Sequence, residues 1–201
     1  MPERVSTLVG GAAAALDYDA ELMLRVKDGD GVSFGLLLEK HRCAVIHFLF
    51  RMVQDHAVAE ELAQEVFFRV YRSRATYEPT AKFTTWLFRI ATHLALNSLR
   101  DGKRERGQER LDDGFPDTPV RQVSDRRPTV EQKLVYEARL DEVRRAVAGL
   151  PEKQRAAVLM HKYQEMEYSQ IARVLGCSES AVKSLLFRAY ETLRARLAHL
   201  V

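Results

Sequence analysis

The side chains best suited to binding chemistry lie near the C-terminus, in "SESAVKSLLFRAYETLR" (178–194). At about 100° per residue, Lys183, Ser184, Phe187 and Arg188 share one side of a helix. The opposite stripe is apolar and consists of Val182, Leu186, Ala189, Leu193, Leu197 and Leu200. The polar side can donate hydrogen bonds to base edges and phosphates of duplex DNA. Phe187 suits a thymine methyl group or a protein surface equally well.

The segment before this helix favours DNA binding. "YSQIARVL" (168–175) predicts a short helix that buries Ile171, Ala172 and Leu175, and "GCS" predicts a tight turn. Ser178 can cap the helix that follows. Two short helices joined by a glycine turn, the second one basic, form a helix-turn-helix whose second helix fits the major groove. A solvated face on a small bundle is the alternative.

A second polar face lies on the predicted helix "DHAVAEELAQEVFFRVYRS" (55–73), which Asp55 can cap. Its buried stripe is predicted to contain Ala59, Leu62, Ala63, Val66 and Val70, with Phe67 at the edge. Its other side carries Glu61, Gln64, Glu65, Phe68 and Arg72. A large exposed aromatic among carboxylates is typical of a protein-docking surface. Chance amphipathicity with a stray Phe is the alternative.

A third face lies on "FTTWLFRIATHLALNSLR" (83–100), a helix predicted to bury Leu87, Ile90, Ala91 and Leu94. Its outward stripe is Arg89, His93, Leu96, Asn97 and Arg100, with Arg104 beyond it and Trp86 at one margin. Arginines that follow a backbone beside an aromatic that stacks on bases suit single-stranded nucleic acid. A solvated helix with Trp86 in the core is equally compatible with this pattern.

Catalytic chemistry is absent from the pattern: no nucleophile–base pair, phosphate-binding glycine loop or paired carboxylates in an apolar cleft can be recognised. His41, Cys43 and His47 lie close together on one predicted helix. A closed zinc site needs four ligands, usually from two elements, so packing is the better interpretation. The sequence therefore predicts no enzyme activity, no metal and no cofactor.

The elements that carry these faces are predicted to be helical throughout. The 201 residues are 46% hydrophobic and 29% charged, with only six prolines and ten glycines, which favours an all-α chain. The net charge of +3 is only mildly basic. Two distant cysteines predict reduced thiols. No apolar run reaches the roughly 18–20 residues of a membrane span, so we expect no direct membrane insertion.

Breaks in periodicity predict two small helical domains. Residues 1–18 are predicted to be a disordered tail, and 19–100 the first domain. Residues 101–129 contain three Pro, three Gly and dense charge, which predicts a flexible linker without a core. The second domain is predicted at 130–201. There Thr129 and Pro151 suit helix starts and Gly149 suits a helix end.

Several motifs of the chain resemble those of the group-four, or extracytoplasmic-function, sigma factors of bacterial RNA polymerase, within the sigma-70 family. "AEELAQEVFFRVYRS" resembles the family's clamp-docking helix, and "FTTWLFRIA" its promoter-melting segment. "LPEKQRAAVLMHKY" followed by "YSQIARVLGCSESAVKSLLFRAYETLR" resembles its C-terminal helix-turn-helix domain. The resemblance covers residues 19–100 and 130–198, and the order and spacing of the motifs make it specific.

The resemblance implies a role for each face. Contact with the polymerase clamp would involve Glu61, Gln64, Glu65, Phe68 and Arg72. Holding and melting the −10 promoter element would involve the loop 76–83 with Lys82, Trp86, Arg89, His93, Asn97, Arg100 and Arg104. Reading the −35 element as duplex would involve Ser178, Ser180, Lys183, Ser184, Phe187 and Arg188. The linker would thread the polymerase channel. His93 stands where the family usually has Asn, so the −10 preference cannot be copied from relatives.

The implied partners are core RNA polymerase, through its clamp coiled coil and flap, and promoter DNA. The resemblance also implies an anti-sigma factor, a cytoplasmic location with polymerase and a regulon responding to stress or envelope signals. A stand-alone helix-turn-helix regulator is the second hypothesis. It would usually dimerise on palindromic half-sites, yet no heptad seam is visible, and the docking face on 55–73 would have no purpose.

Overall fold

The computed structural model describes residues 17–105 and 130–200, and within them all regular structure is helical, which confirms the all-α prediction. The α helices in chain order are α1 Tyr18–Lys27, α2 Gly31–Val53, α3 His56–Arg72, α4 Phe83–Glu105, α5 Val130–Ala148, α6 Glu152–Tyr163, α7 Tyr168–Leu175 and α8 Glu179–Arg196. Short 3-10 turns follow α3 at Arg74–Thr76 and α8 at Ala198–Leu200.

Three local signals are confirmed. The Asp55 side chain accepts the backbone N–H of Val58 at 3.0 Å and caps α3. The Ser178 hydroxyl accepts the N–H of Ala181 at 3.2 Å and caps α8. Gly176, at φ +63°, ends α7 in the left-handed conformation that glycine adopts without steric cost.

Helix ends differ from the expectations in several places. Asp17 is the N-cap of α1, so helical structure begins inside the segment predicted as a tail; residues 1–16 lie outside the described part. Helix α4 continues to Glu105, past the boundary predicted at residue 100. The rest of the predicted linker, residues 106–129 with Thr129, also lies outside the described residues. Pro151 is the N-cap of α6 rather than part of its first turn.

The first half of the chain packs α1 to α4 around large apolar side chains. Phe48 and Phe88 meet edge to face with their ring centroids 5.2 Å apart, and both are about 1% exposed. On α3 the predicted stripe is buried at Ala59, Ala63, Val66, Phe67 and Val70. Leu62 is only half-buried. This packing leaves the opposite sides of α3 and α4 facing outward.

The second half packs α6, α7 and α8 against one another, with α5 beside α8. Val182, Leu186 and Ala189 are buried as predicted. On α7 the prediction of a buried Leu175 is wrong: Val174 takes the buried position, and Leu175 lies half-buried beside the turn. The last predicted members of the stripe, Leu193, Leu197 and Leu200, are only half-buried, and α8 itself ends at Arg196.

The two halves also pack against each other, which the sequence did not predict. Helix α7 lies on α4, and α6 lies on α2. The Arg155 guanidinium donates to the backbone carbonyl of Met52 in the last turn of α2. The Arg51 guanidinium lies 4.1 Å from the centre of the Tyr163 ring, a cation–π arrangement. Burial lowers the pKa of both arginines, as expected for cations partly withdrawn from water.

Candidate polymerase and nucleic-acid interfaces

The outward side of α3 carries an aromatic–cationic pair. Phe68 is 55% exposed, and the Arg72 guanidinium lies 5.5 Å from the centre of its ring. Glu61 and Gln64 are exposed on the same side. Glu65 is half-buried, and its carboxylate accepts from Arg69 Nε at 2.6 Å, so its charge is partly engaged within the helix. Phe68 is therefore the most available apolar group on this side of the helix.

The exposed surface of α3 continues onto residues that helical periodicity did not predict. Tyr71 is 41% exposed and packs against the Phe34 ring of α2 at 5.1 Å. The Arg74 guanidinium lies over the Tyr71 ring at 4.1 Å. Exposed Val32 and Leu36 stand on α2 near Phe34 in sequence. Helical periodicity places Tyr71 at the edge of the predicted face, but its contact with Phe34 joins residues far apart in the sequence.

The outward side of α4 is basic and polar. Arg89, His93, Asn97 and Arg100 are all exposed, as the periodicity predicts. Arg100 Nε lies 3.7 Å from the Asp101 carboxylate at the surface, a pair worth little in water. Arg104 belongs to α4, but its side chain lies outside the described part. Leu96 was predicted to face outward and is instead half-buried against the core, because apolar packing reaches both edges of this helix.

Trp86 lies between the two alternatives of core residue and stacking platform. It is half-buried, with its ring centroid 4.9 Å from that of Tyr77 and 5.8 Å from that of Phe83. Tyr77 is buried, and the loss of hydration, with the nearby Asp17 and Asp19 carboxylates, raises its pKa to about 12. Lys82, directly before α4, is exposed. The aromatic cluster thus supports the start of α4 and leaves part of Trp86 at the surface.

The outward side of α8 exposes the side chains that were predicted to contact the −35 element. Lys183, Ser184 and Arg188 are exposed, and Phe187 is 67% exposed. Near the start of the helix, the hydroxyl groups of Ser178 and Ser180 lie 2.9 Å apart. Such a face combines cations, hydroxyls and one apolar group, the set that reads base edges and phosphates in a major groove.

Lys153 is a further cation on this side that the sequence reading missed. It lines one surface depression together with Ser180, Ser184 and Arg188, although it belongs to α6 rather than α8. Because these residues lie on two different helices, the periodicity of a single helix could not predict that they are neighbours. The cationic surface therefore extends from α8 onto the first turn of α6.

The three side chains considered as metal ligands do not converge. His41 is buried, and its Nε2 lies 2.9 Å from an Asp19 carboxylate oxygen, whereas Cys43 and His47 are exposed. Across residues 17–105 and 130–200, no group of three or more His, Cys, Asp or Glu side chains is arranged to hold a metal ion. None of the helices in these two ranges has the combination of length and hydropathy that a membrane span requires.

Comparison with known protein families matches both halves of the chain. The model of sigma-70 region 2 matches residues 37–105, ending where α4 ends. The model of sigma-70 region 4 matches residues 140–193, from α5 into α8.

Characterised relatives match nearly the whole chain. The RNA polymerase sigma factor CarQ of Myxococcus xanthus is 34% identical over 179 residues, covering 89% of this chain and 97% of that protein. The RNA polymerase sigma-H factor of Pseudomonas aeruginosa is 28% identical over 190 residues, covering 92% and 96%. The ECF RNA polymerase sigma factor SigW of Bacillus subtilis is 27% identical over 183 residues, covering 88% and 95%.

Solved structures share the fold. CnrH, in complex with the cytosolic domain of CnrY, superposes with a TM-score of 0.66 at 23% identity, covering 91% of this chain and 99% of that one. The sigma factor RpoE of Bartonella quintana, in complex with the anti-sigma factor NepR, gives the same TM-score at 20% identity, covering 82% and 96%.

Proposed function

Because the chain belongs to the extracytoplasmic-function sigma factors of the sigma-70 family, it is a non-catalytic promoter-specificity subunit of RNA polymerase, and we propose that its three exposed faces divide that work. The α3 face docks on the polymerase clamp, the α4 face with its preceding loop takes the −10 element, and the α8 face takes the −35 element. The observation that carries the division is the position of Phe68 and Phe187, two exposed aromatics on separate helices.

Docking on the clamp uses the α3 face. The half-exposed Phe68 beside Arg72 gives a partner helix an apolar anchor next to a cation. Buried aromatic and arginine side chains contribute most of the binding energy at many interfaces. Glu61 and Gln64 surround this anchor with polar groups that can pair at the rim. Tyr71 extends the anchor towards α2.

Opening of the −10 element uses the α4 face. Arg89 and Arg100 can follow the phosphates of a displaced strand, and His93 and Asn97 can hydrogen-bond to its bases. The exposed part of Trp86 and the loop beside it can cover a base that has left the stack. These groups lie along one side of α4 and at its start, so a single strand can contact all of them.

Recognition of the −35 element uses the α8 face. Lys183, Ser184 and Phe187 stand on the N-terminal half of α8, the part of a recognition helix that reaches base edges. Arg188 and Lys153 flank this part and can contact phosphates. Ser178 is committed to capping α8, so its hydroxyl oxygen is partly occupied.

Simultaneous recognition of both elements requires the two halves to separate. Elements centred about 25 base pairs apart lie about 85 Å apart along duplex DNA at 3.4 Å per step. A packed chain of this size is only about 45 Å across. We therefore propose that polymerase binding separates the halves and fixes their spacing, so that two weak contacts act as one tight one.

Regulation by an anti-sigma factor is part of the proposal. The Bartonella RpoE structure contains such a factor, NepR. The exposed Phe68 and Phe187 of this chain would suit capture by a partner that covers both working faces. We place the protein in the cytoplasm with polymerase, serving a stress or envelope-signal regulon.

A pair of matched variants tests the division of work. Phe68→Ala and Phe187→Ala remove the same ring from similarly exposed positions, so their effects on folding should both be small. Phe68→Ala should weaken binding to sigma-free core polymerase about tenfold and leave −35 binding by the assembled holoenzyme unchanged. Phe187→Ala should do the reverse. Equal effects of both variants on both measurements would refute the division.

A further inference from the structure

The loop before α4 is tied at both ends to α1. At its start, the Lys27 ammonium donates a hydrogen bond to the backbone carbonyl of Tyr77 at 3.1 Å. At its end, the Asp17 carboxylate accepts the backbone N–H of Phe83 at 3.3 Å. Asp17 and Lys27 stand at opposite ends of α1, which is about 15 Å long. Helix α1 therefore frames the whole loop, residues 78–82.

Asp17 supplies a cap that α4 cannot obtain from its own N-cap side chain. The first N–H groups of a helix have no partner within the helix. The residue directly before α4 is Lys82, whose side chain has no hydrogen-bond acceptor. The other oxygen of the Asp17 carboxylate accepts the N–H of Asp19 at 3.4 Å. One carboxylate thus serves the starts of two helices.

Helix α1 is in turn fixed to α2. Asp19 is 3% exposed, and its carboxylate pairs with the Lys40 ammonium at 2.6 Å and with the His41 ring at 2.9 Å. The His41 ring also packs against the Phe83 ring, with centroids 5.5 Å apart. Because a buried carboxylate of α1 is held by two side chains of α2, α1 can hold the loop in one place.

We propose that Asp17 and Lys27 are positioning residues for promoter opening, which they serve by holding the loop 78–82 and the start of α4 ready to receive the displaced −10 strand. This inference rests on the proposed assignment of the loop and the α4 face to the −10 element. A loop held in its binding position loses less conformational entropy when the strand arrives. Neither residue needs to touch DNA.

Electrostatics alone predicts that removing the Asp17 charge has the opposite effect on promoter opening. A carboxylate beside a DNA-binding surface repels phosphates, so its removal should strengthen DNA binding and speed opening. Under the positioning role, removal loosens the loop and slows opening. Asp17→Asn separates the two, because the amide keeps one acceptor oxygen and loses the charge. The positioning role predicts opening in the order wild type, Asp17→Asn, Asp17→Ala, and electrostatics predicts wild type as the slowest.

The experiment uses the full chain assembled with core polymerase. The probe is a duplex promoter selected by the wild-type holoenzyme from a library randomised at the −35 and −10 positions, carrying 2-aminopurine in the −10 element. Fluorescence then reports unstacking of that base. Asp17→Ala should reduce the amount of open complex about fivefold, the size expected from one lost helix cap. Lys27→Met should reduce it, and Lys27→Arg, which keeps a donor, should restore it.

Asp30→Ala is the matched control. Asp30 caps α2 by accepting the N–H groups of Val32 at 2.9 Å and Ser33 at 3.2 Å, and it also accepts the Ser33 hydroxyl at 2.7 Å. Asp30→Ala should leave opening unchanged, which distinguishes the loss of any helix cap from the loss of the Asp17 cap. If Asp17→Ala opens the promoter as well as wild type, or faster, the positioning role is wrong. If Lys82→Ala and Arg89→Ala also have no effect, the −10 assignment itself is wrong.

Discussion

Replacing Arg155 by methionine should lower the free energy of unfolding by about 3 kcal/mol. Its guanidinium donates to the Met52 and Ala148 carbonyls and, at 3.2 Å, to that of Leu150. Hydrogen bonds from a charged donor contribute about 1.5–3 kcal/mol each. The carbonyls lie at helix ends, where water can replace part of what is lost, so the total should fall below the sum of three bonds.

Urea denaturation and thermal unfolding measure this effect, and the melting temperature should fall by about 6–12 °C. Arg194→Met is the control. Its side chain is 77% exposed and pairs with Glu191 within α8, so its loss should change stability by less than about 0.5 kcal/mol. Because the Met52 contact joins the two halves, Arg155→Met should also separate their unfolding transitions. A loss below about 1 kcal/mol would refute this account of the contact between the halves.

Three further predictions concern single residues. Arg188→Ala should reduce the slope of log affinity against log salt for holoenzyme on duplex −35 DNA by about one, as expected for one lost phosphate contact, and an unaltered slope would exclude that contact. Lys153→Ala should weaken the same complex, while Lys162→Ala on α6, whose side chain lies over the Tyr190 ring, should not. Tyr77 is neutral when buried and its pKa is raised to about 12, so its stabilising contribution is complete below pH 10 and is lost as the pH rises towards 12; Tyr77→Phe should remove that alkaline loss in denaturation experiments.

Periodicity predicted most of the exposed positions, because the side of a helix on which a residue lies depends on that helix alone. The exposed positions of Arg89, Asn97, Lys183 and Arg188 all followed from about 100° per residue. Caps such as Asp55 and Ser178 were predictable for the same reason, since donor and acceptor lie three residues apart.

Contacts between distant residues could not be predicted this way. Asp17 caps a helix that starts 66 residues later, and Arg155 reaches a carbonyl 103 residues away. Neither has a sequence signature, because any acceptor or donor of suitable length could serve. The pairing of Glu65 with Arg69 has the right i,i+4 spacing, but spacing alone does not reveal how much of the carboxylate remains available to a partner.

The most direct test of the function as a promoter-specificity subunit is the affinity of the labelled full chain for sigma-free core RNA polymerase at about physiological salt. We predict saturable binding that Glu65→Lys weakens about tenfold without unfolding the chain, because a cation would replace an anion on the docking face and lie beside Arg69. Absence of binding to core polymerase, together with tight binding of the chain alone to duplex DNA, would contradict the account and favour a stand-alone regulator.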